Sequence, residues 1–117
     1  MIYKIRITDR AKNDMQDIHQ YIANEFQNPT AAKRRISLIQ AKIKSLKENP
    51  ELFATVNDDF LAKSGIRLMV VKTQNVFFII NKNPNIVFIM RILHSRRDWI
   101  NILSAQIDDL LDEIPPD

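Results

Sequence analysis

Cysteine is absent from this chain of 117 residues, and glycine occurs only once. Without cysteine the protein can form neither disulfides nor thiolate metal sites, so we expect it to act in a reducing cytoplasm. A single glycine excludes the glycine-rich loops that cradle nucleotide phosphates. The two histidines lie far apart without acidic residues at ligand spacing, so we expect no metal and no cofactor.

Long hydrophobic runs are also missing. No apolar run approaches the roughly 20 residues that span a bilayer, so we expect no membrane association. The first residues alternate between polar and apolar, which is typical of a strand and not of a signal peptide. Hydrophobic residues make up 45% of the chain and charged residues 26%, which predicts one globular domain over 1–117.

Charge is distributed unevenly along the chain. Residues 1–97 hold all 17 Lys and Arg and eight of the 14 acids, a net charge of +9. Residues 98–117 hold the other six acids and no base. A basic body is typical of proteins that bind an acidic partner, either nucleic acid or an acidic protein segment. We interpret the acidic end as a solubilising extension or as a segment that lies against the basic body.

Hydrophobic periodicity predicts a strand followed by two helices. Alternation over residues 3–8 indicates the strand. Two apolar stripes with helical spacing follow, one over 11–26 with Asp9 as its cap and one over 32–46 with Asn28 as its cap. Because only a few residues join these helices, we expect an antiparallel hairpin.

The second half of the chain predicts three strands and a last helix. After an irregular segment over 50–64, the strand-like runs 66–71, 76–80 and 86–93 are separated by short gaps, which indicates two hairpins. A capping-box pattern predicts that the last helix begins at Ser95. The strands are more apolar than a sheet with one wet face requires, so the last helix or a partner should cover the second face.

These elements together predict an α+β fold. It consists of an N-terminal strand, an antiparallel helix hairpin, a three-stranded antiparallel meander that completes a four-stranded antiparallel sheet, and a C-terminal helix.

The end of the last strand carries the main candidate functional residues. The apolar run ends in His94, Arg96 and Arg97, and Arg91 lies within it. Arginine suits bidentate contact with phosphate or carboxylate, and histidine exchanges protons near neutral pH. With Arg67 at the start of an earlier strand, these arginines are predicted to bind phosphate or another acidic group of a target.

Each candidate also has a structural interpretation. Arg96 and Arg97 could be solvated residues of the first helical turn. Arg91 alternates with apolar residues and could pair with a carboxylate. Arg67 could support the acidic loop at residues 58–59.

The order of elements and four segments resemble the RelE/ParE superfamily of toxins from bacterial type II toxin–antitoxin pairs. The segments are 9–22, 46–50, 65–68 and 89–98. The last, Ile-Met-Arg-Ile-Leu-His-Ser-Arg-Arg-Asp, is most similar to the ParE branch, whose final strand commonly closes in a His-x-Arg-Arg-Asp run. The resemblance covers about residues 3–103 and leaves the acidic extension 104–117 unassigned.

The resemblance implies a growth-inhibiting toxin that a cognate antitoxin holds inactive in a hetero-oligomer. The ParE branch is associated with inhibition of DNA gyrase, whereas the RelE branch cleaves messenger RNA on the ribosome. A metal-independent ribonuclease of this kind would use His94, Arg67 and Arg91 as its catalytic set.

The residues that the RelE branch uses are only partly present. That branch places two lysines on the strand matching 66–71, where this chain has Arg67 and Met69, and an arginine early in the next strand, where it has Val76. Its C-terminal tyrosine has no counterpart, since both tyrosines here are N-terminal. The comparison favours the ParE branch.

A non-toxic nucleic-acid-binding module is a third possibility, which the lack of an aromatic stacking platform disfavours. For the toxin, we expect an acidic, amphipathic antitoxin segment to cover the apolar strands 76–80 and 86–93 near Arg91, His94 or Arg96. Residues 104–117 of the chain itself are the alternative cover.

Overall fold

Helices cover both faces of a four-stranded sheet in the computed structural model, which describes residues 2–82 and 84–115. The elements are β1 Lys4–Ile7, α1 Asp9–Glu25, α2 Pro29–Ser45, a 3₁₀ turn Pro50–Leu52, α3 Asp59–Lys63, β2 Arg67–Val71, β3 Gln74–Lys82, β4 Asn85–His94 and α4 Trp99–Asp112. The predicted α+β fold is confirmed. No helix in the described residues is both long and apolar enough to cross a membrane.

The strand order is β1-β4-β3-β2. The meander of β2, β3 and β4 is antiparallel as predicted. β1 instead runs parallel to β4, with Lys4 opposite Ile86 and Ile7 opposite Ile89. The prediction of a fully antiparallel sheet is therefore wrong for β1, because period-two alternation is the same in both kinds of pairing.

Two apolar cores lie on opposite faces of the sheet. The helix hairpin packs Ile39 and Ile43 against Phe78 and Ile89. On the other face, α4 packs against the sheet through Leu103 and residues beyond it. The buried residues of this second core are Val56, Leu61, Ile66, Phe77, Ile79, Met90, Leu93, Leu103, Ile107 and Leu110. The sequence allowed either an antitoxin segment or residues 104–117 as the cover of the apolar strands, and α4 of the chain itself lies on this face.

Helix caps explain where the first helices begin. Thr8, and not Asp9 as predicted, caps α1: its side-chain oxygen accepts a hydrogen bond from the Ala11 N–H at 3.2 Å. Asn28 caps α2 as predicted. The irregular segment 50–64 also contains α3, capped by Asp58 and too short for periodicity to indicate.

Candidate functional site

The main candidate residues lie where β4 ends beside the turn between β2 and β3. Lys72 and Thr73 form that two-residue turn, and Lys72 has φ of +56°, as tight hairpin turns require. Gln74 is opposite His94 in the sheet. The Ser95 N–H donates a 2.7 Å hydrogen bond to the Thr73 carbonyl. The hairpin turn therefore holds the segment that follows β4.

His94 fixes the conformation of this segment. Its Nδ1 accepts a 3.0 Å hydrogen bond from the Arg96 N–H, and its carbonyl accepts one of 2.9 Å from the Arg97 N–H. An acceptor at Nδ1 places the proton of the neutral ring on Nε2. His94 thus acts first as a scaffold for the two arginines that follow it.

Arg96 and Arg97 lie in a turn before α4 and not in its first helical turn. The helix begins at Trp99, and Asp98 is its cap, so the predicted start at Ser95 is wrong. Both arginines are exposed. Among the described residues, neither guanidinium has a hydrogen-bond or ion-pair partner. Their cationic groups are available to a ligand.

Arg35 of α2 adds a base that the sequence did not reveal. Its Nη1 donates hydrogen bonds to Thr73 Oγ1 at 3.1 Å and to Gln74 Oε1 at 2.9 Å. The sequence contains the Lys-Arg-Arg run over 33–35, but only the fold shows which of these three side chains contacts the sheet. We name the whole feature the β4-end surface, and its bases are Arg35, Lys72, His94, Arg96 and Arg97.

Arg91 is placed differently, at a junction of α1, β4 and α4. Its Nε and Nη2 donate to the two carboxylate oxygens of Asp14 at 2.8 and 2.9 Å, and Nη1 donates to Gln106. Only 13% of the Arg91 side chain and 9% of the Asp14 side chain are exposed. The guanidinium therefore faces the protein, in agreement with the interpretation that Arg91 pairs with a carboxylate.

The shortness of β1 explains this junction. β1 ends at Ile7, so the last part of β4 pairs with β3 on one side and has no strand among the described residues on the other. Asp14 fills the place of a strand by accepting a 2.8 Å hydrogen bond from the Ile92 N–H. A mostly buried carboxylate needs a cation nearby, and Arg91 supplies it.

Arg67 lies at the start of β2, level with the middle of β3 and β4. It is opposite Phe78, which in turn is opposite Ile89, five residues before His94. That offset corresponds to about 16 Å along the strand direction. The Arg67 guanidinium donates to the Phe53 carbonyl at 2.6 Å, so it supports the 3₁₀ turn and not the loop at 58–59. The structure thus separates Arg67 from the β4-end surface.

A contact near Arg67 shifts the pKa values of both of its groups. The Tyr3 hydroxyl donates a hydrogen bond to the Glu51 carboxylate. This bond raises the pKa of Tyr3 and lowers the pKa of Glu51, because it is lost when Tyr3 is deprotonated or Glu51 is protonated. The pair ties the 3₁₀ turn to the start of the chain.

Comparison with known proteins gives a consistent result. The family described as "ParE toxin of type II toxin-antitoxin system, parDE" matches residues 5–99. A chain of the chromosomal ParDE toxin–antitoxin system from P. aeruginosa has a similar structure, with a TM-score of 0.68 and 16% identity over 81% of this chain and 98% of that one. A chain of the toxin–antitoxin complex RelBE2 from Mycobacterium tuberculosis has a TM-score of 0.56 and 16% identity, over 80% of this chain and 99% of that one. No curated protein sequence matches.

The two kinds of comparison carry different weight. At 16% identity, the solved structures show a shared fold alone. The family match spans most of the chain and includes β4 and the turn with Arg96 and Arg97. The chain therefore belongs to the ParE toxin family of type II toxin–antitoxin systems.

Proposed function

We propose that this toxin inhibits growth in the cytoplasm by binding DNA gyrase through the β4-end surface. The observation that carries the proposal is the exposed pair Arg96 and Arg97, held on a turn that His94 and the Thr73 carbonyl fix in advance. Arginine binds phosphate or carboxylate bidentately. A turn that is already ordered loses little conformational entropy when it binds a partner. Arg35 and Lys72 extend the same positive surface.

Cleavage of messenger RNA, the alternative, has less support from the positions of the side chains. It would require His94 to transfer a proton while Arg67 and Arg91 stabilise charge on the same phosphate. Arg91 faces Asp14 and Gln106. Arg67 lies about 16 Å from His94 along the strand direction. A toxin that binds its target without cleaving it fits this arrangement better.

Expression of the toxin in bacteria separates these functions. A gyrase inhibitor should cause filamentation and DNA-damage signalling, and plasmids should lose negative supercoiling. Rapid arrest of translation with new messenger RNA ends and intact supercoiling would instead support the ribonuclease. Unaffected growth would leave only the non-toxic nucleic-acid-binding module, which should bind DNA or RNA with a strong dependence on salt.

A His94→Asn variant sharpens the same experiment. The asparagine Oδ1 can accept a hydrogen bond at the position of Nδ1, but an amide cannot exchange protons as imidazole does. The binding toxin should therefore keep most of its effect on growth, whereas an enzyme that uses His94 as acid or base should lose about 10²–10⁴-fold in rate.

We also propose that a cognate antitoxin neutralises this toxin in a hetero-oligomer. The similar structures come from a ParDE system and a RelBE2 complex, which supports such a partner. A neighbouring gene product, co-expressed with the toxin, should co-purify with it and restore growth. If the neighbour does neither, this part of the proposal fails.

A further inference from the structure

The three strands of the meander lie in a stretch of sequence without acidic residues. Residues 60–97, which include β2, β3 and β4, contain seven bases and no Asp or Glu. Helix α2 contains no acid either, and its Arg35 contacts this stretch at the β4-end surface. Bases that repel one another without acids to compensate them are typical of a protein that binds a polyanion.

Arg35 keeps its full charge at this surface. The groups that accept its hydrogen bonds, Thr73 Oγ1 and Gln74 Oε1, are neutral. They fix the position of the guanidinium without cancelling its charge. Among the described residues, only Nη1 has acceptors, so the N–H groups on Nε and Nη2 are available to a ligand.

The other cations of the surface are uncompensated as well. No ion pair among the described residues involves Lys72, Arg96 or Arg97. Asp98 follows Arg97 in the chain, but its carboxylate caps α4 and accepts hydrogen bonds from Asn101. Together with Arg35, these residues give the β4-end surface four positive charges that can contact an anion.

The side chains at this surface favour one kind of polyanion. The core of a protein–protein interface is depleted in charge and enriched in aromatic residues, whereas the exposed side chains here are mainly cations. Trp99 is half-buried and packs against Phe77, with the ring centroids 5.4 Å apart. Val70 and Ile100, two aliphatic residues near the surface in the chain, are exposed but cannot stack on a base as a ring does. Cations without a stacking ring suit the backbone of a duplex, whose bases are already paired and stacked.

We propose that the β4-end surface binds the sugar–phosphate backbone of duplex DNA. This inference rests on the proposed function and names the acidic group that the toxin contacts there, the DNA that gyrase holds as its substrate. The arginine fork fits two phosphate oxygens at once. Phosphate contacts carry no base information, so binding should not depend on DNA sequence. A toxin that contacts both DNA and gyrase would bind their complex more tightly than either alone.

Binding of the full-length toxin to a short fluorescent DNA duplex, measured by anisotropy over a range of salt concentrations, tests the proposal. With four phosphate contacts, the logarithm of the association constant should fall against the logarithm of salt concentration with a slope of about −3.6. Arg35→Gln removes one contact and should bring this slope closer to zero by about one unit. Arg96→Gln/Arg97→Gln removes two and should also weaken binding about tenfold.

Lys4→Gln/Arg6→Gln is the matched control. It removes the same charge from two exposed residues of β1. Lys4 is opposite Ile86, which lies about 26 Å before His94 along β4. At that distance the charges are screened from the β4-end surface, so affinity and slope should stay close to those of the parent. Equal effects of the two double variants would overturn the proposal, because they would show attraction by net charge alone.

Two other polyanions distinguish DNA from its competitors. Poly-glutamate and the single strand of the same sequence should both bind more weakly than the duplex, which carries one charge per about 1.7 Å of its axis. Poly-glutamate that binds as tightly as the duplex would assign the surface to an acidic protein and overturn the proposal. A single strand that binds more tightly than the duplex would also overturn it, since exposed bases would then contribute.

Inhibition of gyrase supercoiling is measured separately on the same protein. A toxin that inhibits gyrase but does not bind the duplex overturns only this inference. A toxin that binds the duplex but does not inhibit gyrase overturns only the proposed function.

Discussion

Asp14 is the residue whose role is easiest to isolate by substitution. Asp14→Asn keeps an acceptor for the Ile92 N–H but leaves the Arg91 guanidinium without its anion in a mostly buried position. We expect the free energy of unfolding to fall by about 2–4 kcal/mol, measured by urea denaturation. Asp17→Asn, an exposed change on the same helix, should stay within about 0.5 kcal/mol of the parent. Equal stability of the two variants would contradict the role given to the Arg91–Asp14 pair.

The sequence predicted the structural role of a single residue only where its contact partners are close in the chain. The cap at Asn28 was predicted because it is a local signal. The exposed arginines after β4 could be found from their position at a strand end. The partner of Arg91 could not, because Asp14 is 77 residues away and reaches Arg91 only through the fold. Arg35 was missed for the same reason, since Gln74 and Thr73 come near it only when the sheet forms.

Among the elements, α4 is the one that extends beyond the region of family resemblance, which ends at about residue 103. This extension still contributes to the core. Leu110 is 1% exposed and packs in the second core, beyond the predicted limit of the family-like region. Leu110→Ala should lower the free energy of unfolding by about 2–5 kcal/mol, because it leaves a cavity. Asp108→Ala, on the exposed face of α4, should change it by less than about 0.5 kcal/mol. Urea denaturation measures both, and a neutral Leu110→Ala would mean that α4 does not cover the sheet in solution.

Element boundaries were harder to predict than element types. Helical and strand periodicity identified the order of the four strands and the three longer helices correctly, but not α3. The start of α4 was misplaced because Ser95 and Asp98 both suit a helix cap, and local sequence cannot choose between them. The fold decides: the Ser95 N–H bonds to the Thr73 carbonyl of the hairpin turn, which leaves Asp98 as the cap. The direction of β1 was likewise set by its pairing with β4 and not by its own residues.

At the scale of the whole molecule, bases from distant parts of the chain meet at one end of the sheet. Arg35 of α2 and Lys72 of the hairpin turn join His94, Arg96 and Arg97 at the β4-end surface. The net charge of +9 over residues 1–97 fits the proposed contact of this surface with an acidic target, because acidic partners associate faster with a basic protein. Sequence composition predicted this charge, but only the fold shows where these bases meet.

Inhibition of purified DNA gyrase tests the central claim most directly. The measurement is the concentration of toxin that halves supercoiling of a relaxed plasmid, for the parent, for Arg96→Glu/Arg97→Glu and for the matched control Lys33→Glu/Arg34→Glu. We predict that the parent and the control inhibit equally, and that the Arg96→Glu/Arg97→Glu variant requires at least about tenfold more protein. Equal inhibition by all three, or no inhibition by the parent, would contradict the account.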